Sequence, residues 1–130
     1  MKPQRIALAR APVDSRDPFL YHKTTNRKVY EGARTACPDY DDVLLFNELG
    51  EVTESTIANV AVDIAGKLCT PPVTCGLLPG TMRAHLLHQG ELIERRITVA
   101  ELLECPRVFL LNSVRGLYSV EVVQSPDYHR

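Results

Sequence analysis

The chain has 130 residues, of which 45% are apolar and 24% are charged, and its formal net charge is −1. This length suits one domain with one hydrophobic core, and the composition is that of a globular protein, which excludes an intrinsically disordered chain. The near-zero charge argues against a nucleic-acid partner, and because no apolar run has the length of a membrane span or of a signal-peptide core, we expect a soluble cytoplasmic protein.

The first third of the chain predicts a strand, a loop, an extended segment and a helix. Residues 5–9 have the alternation of a strand, and residues 11–18 form a polar loop bracketed by prolines. Residues 19–21 are predicted to be extended because a proline precedes them. Asn26 is a suitable N-cap for a helix that ends near Cys37, just before a proline.

The remainder of the chain predicts six further strands and two helices. The strands are residues 43–46, 52–54, 60–64, 92–97, 108–111 and 118–123. A helix over residues 81–88 is stopped by Gly90, and Thr98 with Glu101 forms a capping box at the start of a short helix. We therefore expect a single mixed unit over residues 1–130.

The cysteines do not have the spacing of a usual zinc site. They are Cys37, Cys69, Cys75 and Cys105. We predict free, mostly buried thiols and no metal, because unpaired cysteine behaves as a small apolar residue. A zinc site that recruits His22 or His85 is the alternative.

Lys23 lies between a predicted extended segment and the predicted helix, in the run HKTTNR at residues 22–27. An amine held there by packing is partly desolvated, which leaves more of it unprotonated and suits it to Schiff-base chemistry. The alternative is an ordinary solvated lysine at a helix start.

Glu54 lies between two predicted strands and is flanked by hydroxyl and amide side chains. A buried, hydrogen-bonded carboxylate at this position suits pairing with a protonated pyridine nitrogen. An exposed glutamate at a strand end is the alternative.

Two further segments are candidate anion sites. Gly80, Thr81 and Met82 open a predicted helix, where backbone N–H groups, the helix dipole and the Thr81 hydroxyl favour a phosphate. The turn at residues 112–116 follows a predicted strand, and its N–H groups, with Ser113 and Arg115, suit a carboxylate or phosphate. An ordinary helix cap and a polar loop are the respective alternatives.

Each motif is weak alone, but their order along the chain is specific. The run at residues 22–27 is followed by VTESTIAN, TPP, GLLPGTMR and FLLNSVRG, at residues 52–59, 70–72, 76–83 and 109–116. Over about residues 19–123, the chain resembles the aminotransferase class IV family, which includes branched-chain and D-amino-acid aminotransferases and aminodeoxychorismate lyases. The resemblance implies an α/β fold, with a barrel-like mixed β-sheet and flanking short helices, in the C-terminal domain of a fold-type IV pyridoxal-phosphate enzyme.

The resemblance also implies a cofactor, pyridoxal 5'-phosphate, and residues that hold it. Lys23 corresponds to the Schiff-base lysine, which shuttles protons once the substrate amine replaces it, and Glu54 corresponds to the glutamate that binds the pyridine nitrogen. Phosphate contacts are implied for Thr81, Met82 and Ser113.

Substrate contacts are implied for Arg27, Val114 and Arg115, whereas Asn59 corresponds to a motif position that we interpret as structural. Aminotransferases of the family often carry glycines and then a tyrosine after the lysine, whereas residues 24–27 here are closer to the lyase branch.

The resemblance therefore implies conversion of 4-amino-4-deoxychorismate to p-aminobenzoate and pyruvate in folate biosynthesis. The loop at residues 12–18 also resembles lyase modules that are fused behind an aminodeoxychorismate synthase. A branched-chain or D-amino-acid aminotransferase is the first alternative, and a non-catalytic assembly domain is the second.

Family members carry a preceding N-terminal domain of roughly a hundred residues, which supplies a phosphate-binding arginine and one wall of the pocket. We therefore expect the chain to be the cofactor-holding half of a longer or split enzyme, inactive by itself. Its expected partners are the N-terminal half of the same enzyme and a small-molecule substrate. We also expect a homo-oligomer, because removing one domain exposes apolar surface.

Overall fold

Six strands of one mixed sheet close into a barrel. The computed structural model describes residues 4–20 and 28–123. Within these ranges the strands are β1 Gln4–Leu8, β2 Asp42–Phe46, β3 Val52–Ser55, β4 Asn59–Ile64, β5 Lys67–Thr70, β6 Ile93–Glu94, β7 Val108–Asn112 and β8 Gly116–Val123. Their order is β3-β2-β1-β8-β7-β4-β5-β6, and an additional β3–β4 pairing closes the ring. The predicted barrel-like mixed sheet is confirmed.

The strand directions follow from the connections. β1 lies between β2 and β8 and is parallel to both, and β5 is parallel to β6. The other pairs are antiparallel. β4 pairs with β7 through residues 59–62, with β5 through residues 62–64, and with β3 only at Asn59. The single β3–β4 pair is therefore what closes the barrel.

Successive side chains of a strand point to opposite faces of the sheet, so alternate residues belong to different hydrophobic clusters. The largest cluster fills the barrel; its strand residues include Ile6, Leu8, Leu44, Val52, Val60, Val62, Val108, Leu110 and Val120. The intervening residues Ala7 and Val43 belong to a second cluster, and Ala61 and Leu111 belong to a third. Both faces of the central strands are therefore covered.

Three helices pack against the sheet, two on its outer faces and one against the barrel core. They are α1 Lys28–Ala36, α2 Thr81–His88 and α3 Val99–Glu104. Tyr30 of α1 packs in the second cluster, Leu86 of α2 packs in the third, and Leu102 of α3 packs in the barrel core. The predicted capping box is present, since the Thr98 hydroxyl accepts from the Glu101 N–H at 3.1 Å and Glu101 accepts from the Thr98 N–H at 3.0 Å.

Two predicted segments differ from the structure. Residues Pro18–Leu20 form a short 3-10 turn in which the Leu20 N–H donates to the Asp17 carbonyl at 3.1 Å. The extended prediction was wrong there, because proline restricts the residue before it and not those after it. The strand predicted over residues 92–97 is only Ile93–Glu94, since β5 offers it two partners, Cys69 and Thr70.

No helix in the described part of the chain is long and apolar enough to cross a membrane.

The barrel core makes a quantitative prediction for Leu110, which is fully buried in the middle of β7. Leu110→Ala should lower the free energy of unfolding by about 2–5 kcal/mol, because it removes buried methyl groups and leaves a cavity. The matched control is Leu49→Ala, because Leu49 is 68% exposed, and its effect should stay within about 0.5 kcal/mol. Urea titration of both variants measures the difference, and equal effects would contradict this assignment of the core.

Candidate functional site

An open cavity of about 450 Å³ lies where α1, the start of α2 and the ends of β3, β4 and β7 meet. It is lined by Tyr30, Glu54, Thr56, Ile57, Ala58, Asn59, Leu78, Pro79, Gly80, Thr81, Leu111, Asn112 and Ser113. Glu54 is the only acidic residue among these described lining residues, and none of them is Lys, Arg or His. The cavity therefore combines apolar walls with one carboxylate and several neutral donors.

Glu54 reaches this cavity because of an irregularity in β3. Leu44 pairs with Ser55, but Phe46 pairs with Val52, so β3 contains one residue more than β2 between these two pairs. This is a β-bulge, a feature that often re-aims a side chain beside an active site. Glu54 then pairs with Asn59 of β4, and the two side chains line the cavity together.

The Glu54 carboxylate is buried and both of its oxygens accept hydrogen bonds. The residue is only 4% exposed. The Tyr30 hydroxyl donates to Oε2 at 2.9 Å, and the Leu78 N–H donates to Oε1 at 3.3 Å. A buried carboxylate requires such donors, because desolvating an unpaired charge is costly. The structure thus presents Glu54 as a fixed acceptor at the cavity wall.

Asn59 clamps the loop that leads into α2. Its Nδ2 donates to the Leu78 carbonyl at 2.9 Å, and its Oδ1 accepts from the Gly80 N–H at 3.2 Å. A Cβ on Gly80 would stand 2.4 Å from Asn59 Oδ1, so only glycine permits this approach. Gly80 is the N-cap of α2 and, having no side chain, makes no capping hydrogen bond to the first turn. The first-turn N–H groups of α2, which have no acceptor within the helix, begin at the cavity beside Thr81.

Asp42, at the start of β2, holds Thr56, which lines the cavity. The Thr56 hydroxyl and N–H both donate to Asp42 Oδ1, at 2.6 Å and 3.2 Å. The Ser55 hydroxyl oxygen accepts from the N–H groups of Ile57 and Ala58 at 3.2 Å and 2.9 Å. Side chains therefore satisfy the tight turn between β3 and β4, which lines the cavity.

The turn between β7 and β8 is organised by Asn112. Its Oδ1 accepts from the N–H groups of Val114 at 3.1 Å and Arg115 at 2.8 Å. The Arg115 guanidinium lies 4.1 Å from the centre of the Tyr118 ring, a cation–π contact. Two N–H groups that the sequence suggested for an anion are thus engaged by the protein, while Ser113 still lines the cavity.

The structure brings some of the predicted site residues together. Glu54, Thr81 and Ser113 line the same cavity. The Met82 side chain packs instead in the third cluster. Val114, which is 91% exposed, and Arg115 are not among the lining residues. Lys23 and Arg27 lie outside the described residues.

Sequence reasoning missed the contact between Tyr30 and Glu54. In the sequence, Tyr30 is only one of the residues of the helix predicted to end near Cys37, and no pattern assigned it to the site. The available signal was its place in the first turn of the helix that follows the HKTTNR run. Nothing in the sequence indicated a partner 24 residues away.

The cysteines show no feature of a metal site. Cys37, Cys69 and Cys75 are buried and Cys105 is partly buried, so the prediction of mostly buried thiols is confirmed. Burial, and then the nearby Glu51 carboxylate, raise the pKa of Cys75 to about 11, which keeps this thiol protonated at neutral pH. The described residues contain no group of three His, Cys, Asp or Glu side chains able to hold a metal ion.

Comparison with known proteins gives one consistent family. The model of the amino-transferase class IV family matches residues 1–123. A Schizosaccharomyces pombe protein, provisionally named an aminodeoxychorismate lyase, is 35% identical over 133 residues that cover 96% of this chain and 58% of that protein.

Two solved structures resemble the chain closely. A Mesorhizobium loti protein, provisionally named an amino-acid aminotransferase, superposes with a TM-score of 0.87 at 42% identity, covering 94% of this chain and 60% of that one. The 4-amino-4-deoxychorismate lyase of Pseudomonas aeruginosa superposes with a TM-score of 0.82 at 27% identity, covering 92% of this chain and 47% of that one. The chain thus spans about half to three-fifths of the length of these relatives.

Proposed function

The chain belongs to the amino-transferase class IV family, whose members use pyridoxal phosphate, and we propose that it is the cofactor-holding half of an aminodeoxychorismate lyase. The proposed reaction converts 4-amino-4-deoxychorismate to p-aminobenzoate and pyruvate, as part of a longer or split enzyme. The observation that carries the choice of site is Glu54, a buried carboxylate that faces the same cavity as the start of α2.

The residues of the cavity fit the cofactor. A pyridoxal ring needs an apolar slot and an acidic partner for its nitrogen, and its phosphate needs several hydrogen-bond donors. Leu78 and Leu111 supply apolar wall, and Glu54 supplies the acidic partner. Thr81 supplies a hydroxyl at the helix start, and Ser113 supplies a second hydroxyl.

Each of these residues then has a distinct task. When bound, the pyridoxal ring supplies an electron sink for the bond that breaks. Glu54 accepts a hydrogen bond from the ring nitrogen and so holds a proton there. The N–H groups of Thr81 and Met82 bind the phosphate, because the helix dipole favours an anion at this end. Ser113 adds a hydroxyl donor.

Lys23 is the residue proposed to move protons. Its Nζ would hold the cofactor in the resting enzyme and act as general base and general acid during turnover. Arg27, Val114 and Arg115 are proposed to contact substrate. Asn112 limits how Val114 and Arg115 can contact substrate, because its Oδ1 already accepts hydrogen bonds from the N–H groups of both residues. The proposed contacts of these two residues with substrate therefore do not rely on their main-chain N–H groups.

The lyase is favoured over the transaminase by the segment after Lys23 and by the Schizosaccharomyces pombe and Pseudomonas aeruginosa relatives. The Mesorhizobium loti structure keeps an aminotransferase as the second candidate. The full-length protein that carries this chain should form p-aminobenzoate from 4-amino-4-deoxychorismate. Amino-group transfer from a branched-chain or D-amino acid to 2-oxoglutarate, without p-aminobenzoate formation, would replace the lyase by the aminotransferase.

Gly80 provides a test of the proposed phosphate site. In Gly80→Ala the new Cβ would press on Asn59 Oδ1, so the clamp must open and the start of α2 must shift. We expect the dissociation constant for pyridoxal phosphate to rise about tenfold, the equivalent of one lost hydrogen bond. Equilibrium dialysis measures this change.

The matched control is Gly32→Ala, because a Cβ on Gly32 in α1 would meet no atom within 4 Å. This variant should bind pyridoxal phosphate as the parent does and gain about 0.5–1 kcal/mol of stability from the helical alanine. If Gly80→Ala binds pyridoxal phosphate as tightly as Gly32→Ala does, the phosphate does not lie at the start of α2.

A further inference from the structure

Tyr30 is placed where it can control the Glu54 carboxylate. It lies in the first turn of α1, is only 5% exposed, and packs its ring in the cluster that covers the outer face of β1 and β2. Its hydroxyl is 2.9 Å from Glu54 Oε2. Both residues line the cavity. The ring is therefore fixed by packing while the hydroxyl is presented to the carboxylate.

The second donor to Glu54 comes from a rigid backbone group. The Leu78 N–H lies 3.3 Å from Oε1, and the carbonyl of the same residue is held by Asn59 Nδ2 at 2.9 Å. The bond from the Leu78 N–H to Glu54 is longer than the bond from the Tyr30 hydroxyl to Glu54. The bond from the phenol is also charge-assisted when the carboxylate is ionised. The two donors approach different oxygens of the carboxylate, so together they define its plane and direction. Of the two, only the phenol can be removed by substitution without altering the main chain.

We propose that Tyr30 is a positioning residue that acts through Glu54: its hydroxyl keeps the carboxylate ionised and directed at the ring nitrogen of pyridoxal phosphate. This inference rests on the proposed function of the cavity. A hydrogen bond to the charged form of an acid favours that form, and ionised Glu54 is the form that pairs with a protonated ring nitrogen. Tyr30 thus couples the position of α1 to the protonation of the cofactor ring.

The test is Tyr30→Phe in the full chain, alone and combined with Glu54→Gln. Phenylalanine keeps the buried ring in its cluster and removes only the hydroxyl. Tyr30→Phe should weaken pyridoxal phosphate binding about ten- to hundredfold, because a bond to a buried charged group is lost. In the Glu54→Gln background the same substitution should change affinity less than about threefold, because the carboxylate through which Tyr30 acts is gone.

A spectroscopic measurement separates this role from simple packing. The measurement uses pyridoxal phosphate labelled with ¹⁵N in the ring. When this cofactor is bound to the parent chain, its ring nitrogen should show the chemical shift of a protonated pyridine. Tyr30→Phe should move the signal toward the unprotonated value. Tyr118→Phe is the matched control, because the Tyr118 hydroxyl is buried and has no hydrogen-bond partner among the described residues. Tyr118→Phe should leave both affinity and chemical shift unchanged.

The outcomes distinguish this inference from the proposed function. If Glu54→Gln weakens binding but Tyr30→Phe changes neither affinity nor the ¹⁵N shift, the role of Tyr30 is overturned and the site stands. Additive effects of the two substitutions on affinity would also overturn it, because Tyr30 would then act independently of Glu54. If neither Glu54→Gln nor Tyr30→Phe affects binding, the proposed site is wrong and the inference falls with it.

Discussion

Borohydride reduction of the chain with pyridoxal phosphate should place the label on Lys23 and spare the other lysines, Lys2, Lys28 and Lys67. An amine beside a bound ring reacts at a high effective concentration, whereas an exposed amine meets the cofactor only by collision. Lys28 and Lys67 are exposed, so their amines have no such advantage. Tryptic digestion and mass spectrometry locate the reduced adduct.

Substitution of the lysine should have the largest effect on catalysis. Lys23→Ala should abolish specific labelling and lower turnover of the full-length enzyme by about 10²–10⁴-fold, the usual contribution of a positioned general acid–base. Lys28→Ala is the matched control and should retain both labelling and turnover. Label spread evenly over several lysines in the parent chain, or full turnover by Lys23→Ala, would show that Lys23 does not have this role.

The second large expected effect is the loss of cofactor affinity and of turnover when the chain is studied by itself. These 130 residues alone should bind pyridoxal phosphate weakly and form no appreciable p-aminobenzoate. The described lining of the cavity contains no cationic side chain to meet the phosphate. A charged hydrogen bond contributes about 1.5–3 kcal/mol, so without one the affinity should fall roughly ten- to hundredfold below that of a complete site. The helix start contributes less, about 0.3–1 kcal/mol at exposed positions.

Adding the complementary half, a polypeptide that corresponds to the part of the relatives that this chain does not span, should restore activity. The relatives are longer than this chain. In addition, Ile57 at the mouth of the cavity is an apolar residue that is 54% exposed. We propose that further polypeptide, from the same enzyme or from a second copy, covers this apolar mouth and supplies the phosphate-binding cation. The measurement compares p-aminobenzoate formation by the chain with and without the complementary half. Full turnover by the chain alone would mean that the pocket is complete without it.

Most of the local structure can be predicted from the sequence alone. The helix α2 lies between Gly80 and Gly90, where a helix start and a helix stop were predicted. The capping box at Thr98 formed because both of its partners are within three residues of each other. The apolar runs in β4, β7 and β8 became strands because they are short and covered on the barrel side, and β4 and β8 each contain three β-branched residues. The order of the motifs was enough to indicate the family, since motif order is a property of the chain itself.

The assembly of the candidate site, in contrast, depends on contacts between residues that are distant in the sequence. The β-bulge that turns Glu54 toward the cavity depends on how β3 pairs with β2, which local sequence does not specify. The Tyr30–Glu54 bond joins residues 24 apart, and the Asn59 clamp on Gly80 joins residues 21 apart. Such contacts form only after the barrel has brought distant segments together. A shift of the strand pairing by one residue would remove them. Their residue types are visible in the sequence, but their partners are set by strand register and by packing, which no local pattern encodes.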